Sequence, residues 1–531
     1  TNASLNNYNI YPNETGCKHL RVDGNGSVTC FMGFKSITVN KGTVANEYEY
    51  TTDSVEIIVN QNAEFHNYKN ISSGKITVNG DNAKFYNRKD ILSGKITINR
   101  FAEFYNYNKI SSDTITINNA KFYNYNKISS DKITINIGAF TNDSVISTIE
   151  SDIVVDSGSF YNMKGTVNGK IEIKRGQFVN EASIENTPIK LTGGEFANRQ
   201  DIDDRSSIVV EGGEFSNTYS GGNAVVLPAS ITVNGGRFNN GVGLNCANFI
   251  VTGEITVKSG EFHNWGIVNP CIDNIKLNGG EFVNEPSGKV TPDTYGIFID
   301  GGTFTNKGNI TSSLREDISI YDGELVNDTN ATITGVLLSS YGKLTNNGTI
   351  TLNSKDSTSI TVYAAGAITN NGIIDGKGMV ISHGGECINA EGASIKQACM
   401  EYDGYNQGDN AFINNGTIDS LSVSYGMFTN NGTVRKVFVS GNDYGSGTFT
   451  NEANGTITDS IALNNRGGFT NKGRISLGKI IEVAGSTFTN YGTLSSFVDC
   501  KTGGTFIWGE GASSDKNIGF DSSSTFILKS G

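Results

Sequence analysis

No apolar run in this chain approaches 18 residues, so no helix long enough to cross a membrane is expected. A basic excess is missing as well. The net charge is −12, and binding to phosphate backbones needs a basic face, so no nucleic-acid partner is expected. Proline is scarce, at six residues in 531. Hydrophobic content is 36% and charged content 18%, both low for a globular enzyme. No stretch carries a helical period, which excludes helical repeats, and the leucine consensus of a horseshoe repeat is absent. The seven cysteines, Cys17, Cys30, Cys246, Cys271, Cys387, Cys399 and Cys500, include no CxxC pair, so a zinc site is not expected. Local disulfides are the reading that remains, and they imply an oxidising compartment.

What the chain has instead is one triplet, Phe-x-Asn, repeated along nearly its whole length. Taking the residue two before each Asn as the anchor gives 23 anchors from Val44 to Phe488. The 22 steps between them average about 20 residues, and the anchor is Phe in 18 of the 23. The exceptions are Val44, Leu325, Leu344, Ile368 and Cys387. The residue two later is Asn every time, including Asn67, Asn87, Asn106, Asn124, Asn142, Asn162, Asn180, Asn198, Asn306, Asn430, Asn471 and Asn490. An apolar position that varies beside a polar one that never does needs a physical cause.

Ahead of each anchor lies an alternating apolar pair, such as Ile171/Ile173 before Phe178 or Ile275/Leu277 before Phe282. Period-two alternation is strand. The link is often Gly-Gly, as at Gly212-Gly213, and supplies the bend. A third apolar residue falls six after many anchors, at Ile71, Ile91, Ile110, Ile128, Ile146, Ile310, Ile350, Ile418 and Ile475. One repeat thus holds two or three short strands and tight bends, too little to bury a core alone, so repeats must stack. The expected fold is all-β: a parallel β-helix, or β-solenoid, of about 23 coils of about 20 residues. At a bend, stacked Asn side chains can bond to each other and to the backbone, because each has both donor and acceptor. The Phe rings would stack in the same way inside the coil.

Residues 1–35 do not fit the repeat and read as an N-terminal cap or arm, with Cys17 and Cys30 as a staple. The repeats run over 36–494, and 495–531 read as a final coil with a cap, since Trp508 stands where the next Asn would be. Cys246 and Cys271 fall at nearly the same place on successive coils, which suggests a coil-to-coil disulfide. Extra residues at 397–410 and 440–447 read as side loops. The chain begins at Thr1, which reads as a processed or trimmed product, and no C-terminal barrel or sorting tail is visible.

Phe/Leu-Thr-Asn-Asn-Gly-Thr-Ile, at 344–350 and with Val for Ile at 428–434, resembles the coil repeats of bacterial secreted β-solenoid surface proteins. These include autotransporter passenger domains and filamentous-haemagglutinin-like adhesins. The resemblance covers roughly 36–494 and implies an extracellular or cell-surface location and a structural or adhesive role.

No catalytic or metal constellation emerges, and no cofactor is expected. The acidic run Asp201-Ile202-Asp203-Asp204-Arg205 reads as a solvated loop. Of the four histidines, His66 and His263 fall beside an anchor, while His19 and His383 are isolated. The residue after each anchor should point outward. In the first half it gives Tyr86, Tyr105, Tyr123 and Tyr161, and two positions on come Tyr68, Tyr107 and Tyr125. This is a candidate contact stripe for glycans or proteins; the alternative is cross-coil stacking that only stabilises the sheet. In the second half the column becomes Thr305, Thr345, Thr369, Thr429, Thr450, Thr470 and Thr489. A flat Thr array raises ice binding, against the simpler account of strand preference on a wet face. Stacked rods end in unpaired edges, so head-to-tail or lateral self-association is a further expectation. The reading as a whole is a non-enzymatic structural or adhesive solenoid, with a carbohydrate-active or carbohydrate-binding β-helix as the alternative.

Overall fold

Alternation decides the backbone. In Ile91–Asn99, Ile96 and Ile98 are buried while Lys95 and Thr97 face out, and Lys84–Asn87 buries Phe85 and Asn87 around an outward Tyr86. Each such segment lies parallel to its counterpart in the next repeat and in register: Phe85 opposite Phe104, Ile91 opposite Ile110, Ile96 opposite Ile115, Ile98 opposite Ile117. The result is an all-β parallel solenoid of about 22 turns. No helix occurs among the described residues.

The computed structural model describes residues 8–10, 18–31, 33–218, 224–242, 249–270, 274–292, 296–311, 318–334, 338–352, 359–363, 366–376, 379–383, 385–401, 411–442, 445–477 and 481–529. The chain divides into two units, Thr1–Ile267 and Val268–Gly531.

In the first unit the Phe column runs from Phe65 to Phe262 with every ring fully buried. Neighbouring centroids are 5.0 Å apart at Phe65–Phe85 and 4.6 Å at Phe85–Phe104, with planes nearly parallel. Beside it runs the Asn column. Asn67 Nδ2 donates to Asn87 Oδ1 at 2.9 Å, Asn87 to Asn106 at 2.9 Å, Asn106 to Asn124 at 2.8 Å, and so on through Asn180 to Asn198 at 2.9 Å. The second Nδ2 hydrogen goes to a bend carbonyl, as from Asn124 to Asn126 O, and Oδ1 also takes a bend N–H, as from Asn126. Each buried amide therefore uses donor and acceptor together, which a carboxylate or an alkyl side chain could not do. All the amides point one way, so their dipoles add along the column.

The second unit repeats the scheme with a looser aromatic column. Phe282–Phe304 stack at 4.6 Å, then Leu325, Leu344, Ile368 and Cys387 take the place of rings, and Phe412 and Phe428 meet at a 46° tilt. The Asn column is unbroken through these substitutions, from Asn306 to Asn327 at 2.9 Å down to Asn471 to Asn490 at 2.7 Å. The column then meets Trp508 and Leu528. The last described coil leaves Phe526 exposed next to the fully buried Phe506, and Leu528 exposed next to the partly buried Trp508.

Several expectations change. His19–Val22 and Ser27–Cys30 pair in register with Ser36–Val39 and Gly42–Asn46, so the described part of 1–35 continues the parallel sheet, with Cys30 in the Asn column. Cys30, Cys387, Cys399 and Cys500 are free and buried rather than bridged. The reason is their place in the coil. Cys387 fills the ring column between Ile368 and Phe412, whereas Cys399 sits on another strand segment beside Ile381 and Ser422. Burial pushes the Cys30, Cys387 and Cys500 thiols up to about 12. Cys17, Cys246 and Cys271 lie outside the described residues, and so do both pairings built on them. Ile146 is exposed; the inward position opposite Ile128 belongs to Ile149, because that coil carries three extra residues at its bend. Of the expected side loop at 397–410, residues 397–400 belong to the strand Ser394–Met400 and 402–410 lie outside the described residues; in the other, Gly441 and Asn442 pair antiparallel with Ser446 and Gly445.

Candidate functional site

The outward face carries what the interior does not fix. In the first unit, strand alternation places His66, Tyr86, Tyr105 and Tyr123 in one column, opposite one another in register. Their rings stack at 4.6, 4.9 and 4.9 Å, with planes within 18°. The adjoining column reads Glu64, Lys84, Glu103, Lys121, an alternation of sign that avoids like-charge stacking. It also anchors the rings: Tyr105 Oη donates to Glu103 at 2.7 Å, and His66 lies 3.2 Å from Glu64. Burial holds the Tyr86 and Tyr105 hydroxyls above the ordinary tyrosine range, and for Tyr105 the bond to Glu103 adds to this.

The second column is Tyr68, Arg88, Tyr107, Tyr125. Tyr107 and Tyr125 stack at 5.1 Å. Tyr68 and Tyr107 are two coils apart, and the guanidinium of Arg88 fills the coil between them, 5.8 Å from one ring centroid and 5.4 Å from the other. Arg88 was not singled out in the sequence; its signal was an arginine at a position where neighbouring repeats have tyrosine.

This geometry limits what the stripe can do. Rings stacked along the column turn their faces to each other and show only edges and hydroxyls to solvent. A sugar that stacks on an aromatic face has no face to use inside the ladder. The ring geometry is that of a cross-coil stack. Tyr161 stands apart from it, with Thr141 on one side and Val179 on the other.

In the second unit the Thr column is in register but interrupted by Val326, Ile388 and Ile413. The longest uninterrupted run is Thr429, Thr450, Thr470 and Thr489. The same unit holds an aromatic ladder that the anchor count did not find. Tyr321, Tyr341, Tyr363 and His383 stack at 5.8, 4.4 and 5.9 Å. These residues precede their anchors by three to five positions, so a fixed offset misses them.

Two further columns were also hidden from the triplet. A partly exposed Asn ladder includes Asn60 to Asn40 at 2.7 Å, Asn118 to Asn99 at 2.7 Å and Asn136 to Asn118 at 2.6 Å. Ion pairs one coil apart recur at Glu56–Lys75, Asp143–Lys164, Asp156–Arg175 and Lys190–Glu211, between 2.8 and 3.2 Å. Singly they contribute little, but each favours the same register.

A groove of about 860 Å³ crosses the first unit beside the Gly bends, lined by Arg175, Gln177, Glu195, Glu214, Arg237 and Glu261. Its glycine floor follows from coil packing: a Cβ on Gly194, whose φ is +69°, would lie 2.2 Å from the Gly176 carbonyl oxygen. Glu261 is held below the ordinary carboxylate range by bonds from His263 and Arg237, the opposite of what a general acid needs. Asp201–Arg205 is more ordered than a solvated loop. Asp203 accepts bonds from Ser206 and the Asn186 N–H, Asp201 from the Val226 N–H, and Ile202 is buried. Among the described residues no group of three or more His, Cys, Asp or Glu is placed to hold a metal ion.

Residues 246–420 match the family model of the BigA fourth domain. That domain belongs to bacterial surface proteins, and the match agrees with a bacterial surface β-solenoid protein. The tyrosine-rich coils of the first unit lie outside the matched stretch. No curated protein and no solved structure matches the chain.

Proposed function

We propose that the chain is a non-enzymatic structural and adhesive element of a bacterial surface, held outside the cell and able to associate with further copies of itself. The observation that carries this reading is the BigA match laid over a solenoid whose repeated residues are spent on the interior. Phe and Asn build the coils, and the outward columns vary from coil to coil, as befits a long contact surface. In this reading residues 1–35 flank the 36–494 repeat body as a cap or arm and 495–531 as a final coil with a cap. Head-to-tail association follows from the chemistry of a parallel coil edge, whose unpaired N–H and C=O groups take another coil in register.

Electron microscopy of the purified protein over a range of concentrations tests the self-association. End-to-end strings are expected; separate particles at high concentration would remove that part of the proposal. Adhesion is measured separately, as binding of the labelled protein to host cells before and after removal of surface glycans and proteins. A carbohydrate-cleaving activity is the competing reading. Release of reducing ends or unsaturated products from acidic polysaccharides, with or without Ca²⁺, would establish it.

A further inference from the structure

The stacked tyrosine columns show their faces at only a few places, and one of these is built like a receptacle. Opposite Tyr123 in the next coil is Thr141, and opposite Thr141 in the coil after that is Tyr161. Tyr123 stacks on Tyr105 on one side only, and Tyr161 has no ring partner among the described residues. The neighbouring outward column narrows at the same coil, where Ala139 stands between Lys121 and Ser159. One coil is therefore cut back at two adjacent outward positions, between two tyrosines whose backbones are two coil steps, about 10 Å, apart. The floor is the half-buried Thr141, which makes no side-chain hydrogen bond among the described residues.

The chain itself shows what a gap of this width holds. In earlier coils, just past the strands that end at Asn67, Asn87 and Asn106, Tyr68 and Tyr107 are also separated by one coil without a ring, and the guanidinium of Arg88 lies between them. Within the ladders one flat group occupies each coil step, at 4.9 Å from ring to ring. A guanidinium is flat and stacks on tyrosine faces. Asp143 stands beside the gap and pairs with Lys164 at 3.2 Å across an exposed surface, a bond that an incoming cation can exchange. The chain's net charge of −12 favours the approach of cations.

We propose that Tyr123, Thr141 and Tyr161 form a slot for the guanidinium of an arginine on a partner protein, held between two rings with Asp143 at its edge. That the arginine belongs to another protein rests on the adhesive reading above; the stacking does not, and it is tested without cells.

The probe is N-acetyl-arginine amide, with the lysine analogue and methyl pyranosides as comparators, observed by saturation-transfer NMR on the full chain. Transfer to the arginine side-chain protons is expected, several-fold stronger than to lysine. It should fall by about fivefold in Thr141→Tyr, which completes the ladder and fills the slot, and by a similar factor in Tyr161→Ala, which removes one wall. Thr141→Tyr should also melt no lower than the parent, so loss of signal cannot be assigned to unfolding. Equal transfer to the parent and Thr141→Tyr would overturn the proposal, as would transfer to a pyranoside that Thr141→Tyr abolishes while arginine gives none. Adhesion lost with arginine transfer intact would sink the adhesive reading and leave the slot standing.

Discussion

Asn124→Leu tests the ladder most directly. Asn124 Nδ2 donates to Asn142 Oδ1 at 2.8 Å and to the Asn126 carbonyl at 2.5 Å. Its Oδ1 accepts from Asn106 Nδ2 at 2.8 Å and more weakly from the Asn126 N–H at 3.4 Å. Leucine has a similar volume, so little strain is added, but it leaves one hydrogen of Asn106 and one oxygen of Asn142 unpaired. Both neighbours are fully buried, and water cannot substitute. Two orphaned buried groups cost about 1–3 kcal/mol each, and the added apolar side chain returns about 1 kcal/mol. The expected loss is about 1–5 kcal/mol. A repeat array need not unfold in one step, so a single denaturation midpoint would blur the effect. Hydrogen exchange followed by mass spectrometry resolves it: amides of the coils around Phe104, Phe122 and Phe140 should lose protection, and remote coils should keep theirs. Asn124→Asp sharpens the test. Burial raises the folded pKa of that carboxyl, so its charge destabilises the fold above the unfolded value of about 4, and stability returns as pH falls toward that value. A change below about 0.5 kcal/mol for Asn124→Leu, or an Asn124→Asp variant indifferent to pH, would mean that the amides do not hold the coil.

Tyr105→Ser should lower the stability of its coils by about 1–3 kcal/mol, because two stacked pairs at 4.9 Å and the bond to Glu103 are lost together; unchanged exchange there would return the stripe to a purely recognition role. Cys30, Cys387 and Cys500, with thiols raised to about 12 by burial, should resist alkylation at pH 8 in the folded protein and react once it is unfolded. Peptide mapping reads this directly, and recovery of any of them in a disulfide would contradict the structure.

The fold was legible because its two constraints are both periodic. The burial of Phe85, Phe104 and Phe122 and the pairing of Asn87, Asn106 and Asn124 recur at each coil, so spacing alone exposed them. What spacing could not expose was contact between coils at positions that do not keep a constant offset. Tyr321, Tyr341 and Tyr363 drift by one or two residues from their anchors, and so their ladder was invisible until the strands were laid in register. The disulfide expectation failed for a related reason. Nearness in sequence does not place two thiols together when a coil has several strand segments: Cys387 lies in the ring column and Cys399 on a different segment of the same coil. Ile146 failed because three extra residues shift the inward phase, which period-two alternation reverses with every odd insertion.

The same logic says where recognition can reside. A column that repeats without change presents an identical group every coil, and stacking consumes the faces of those groups. Tyr86 and Tyr105 are each covered on both sides, so neither offers a surface that its neighbours lack. A distinctive site needs a break in the column, and each break exposes the faces on either side of it. Arg88 is a break that the chain has filled for itself; Thr141 with Ala139 is one that it has not. The Phe-x-Asn triplet therefore carries little information about function despite its prominence. The coil at Thr141, where the outward pattern lapses while the inward Phe140 and Asn142 hold their places, carries more.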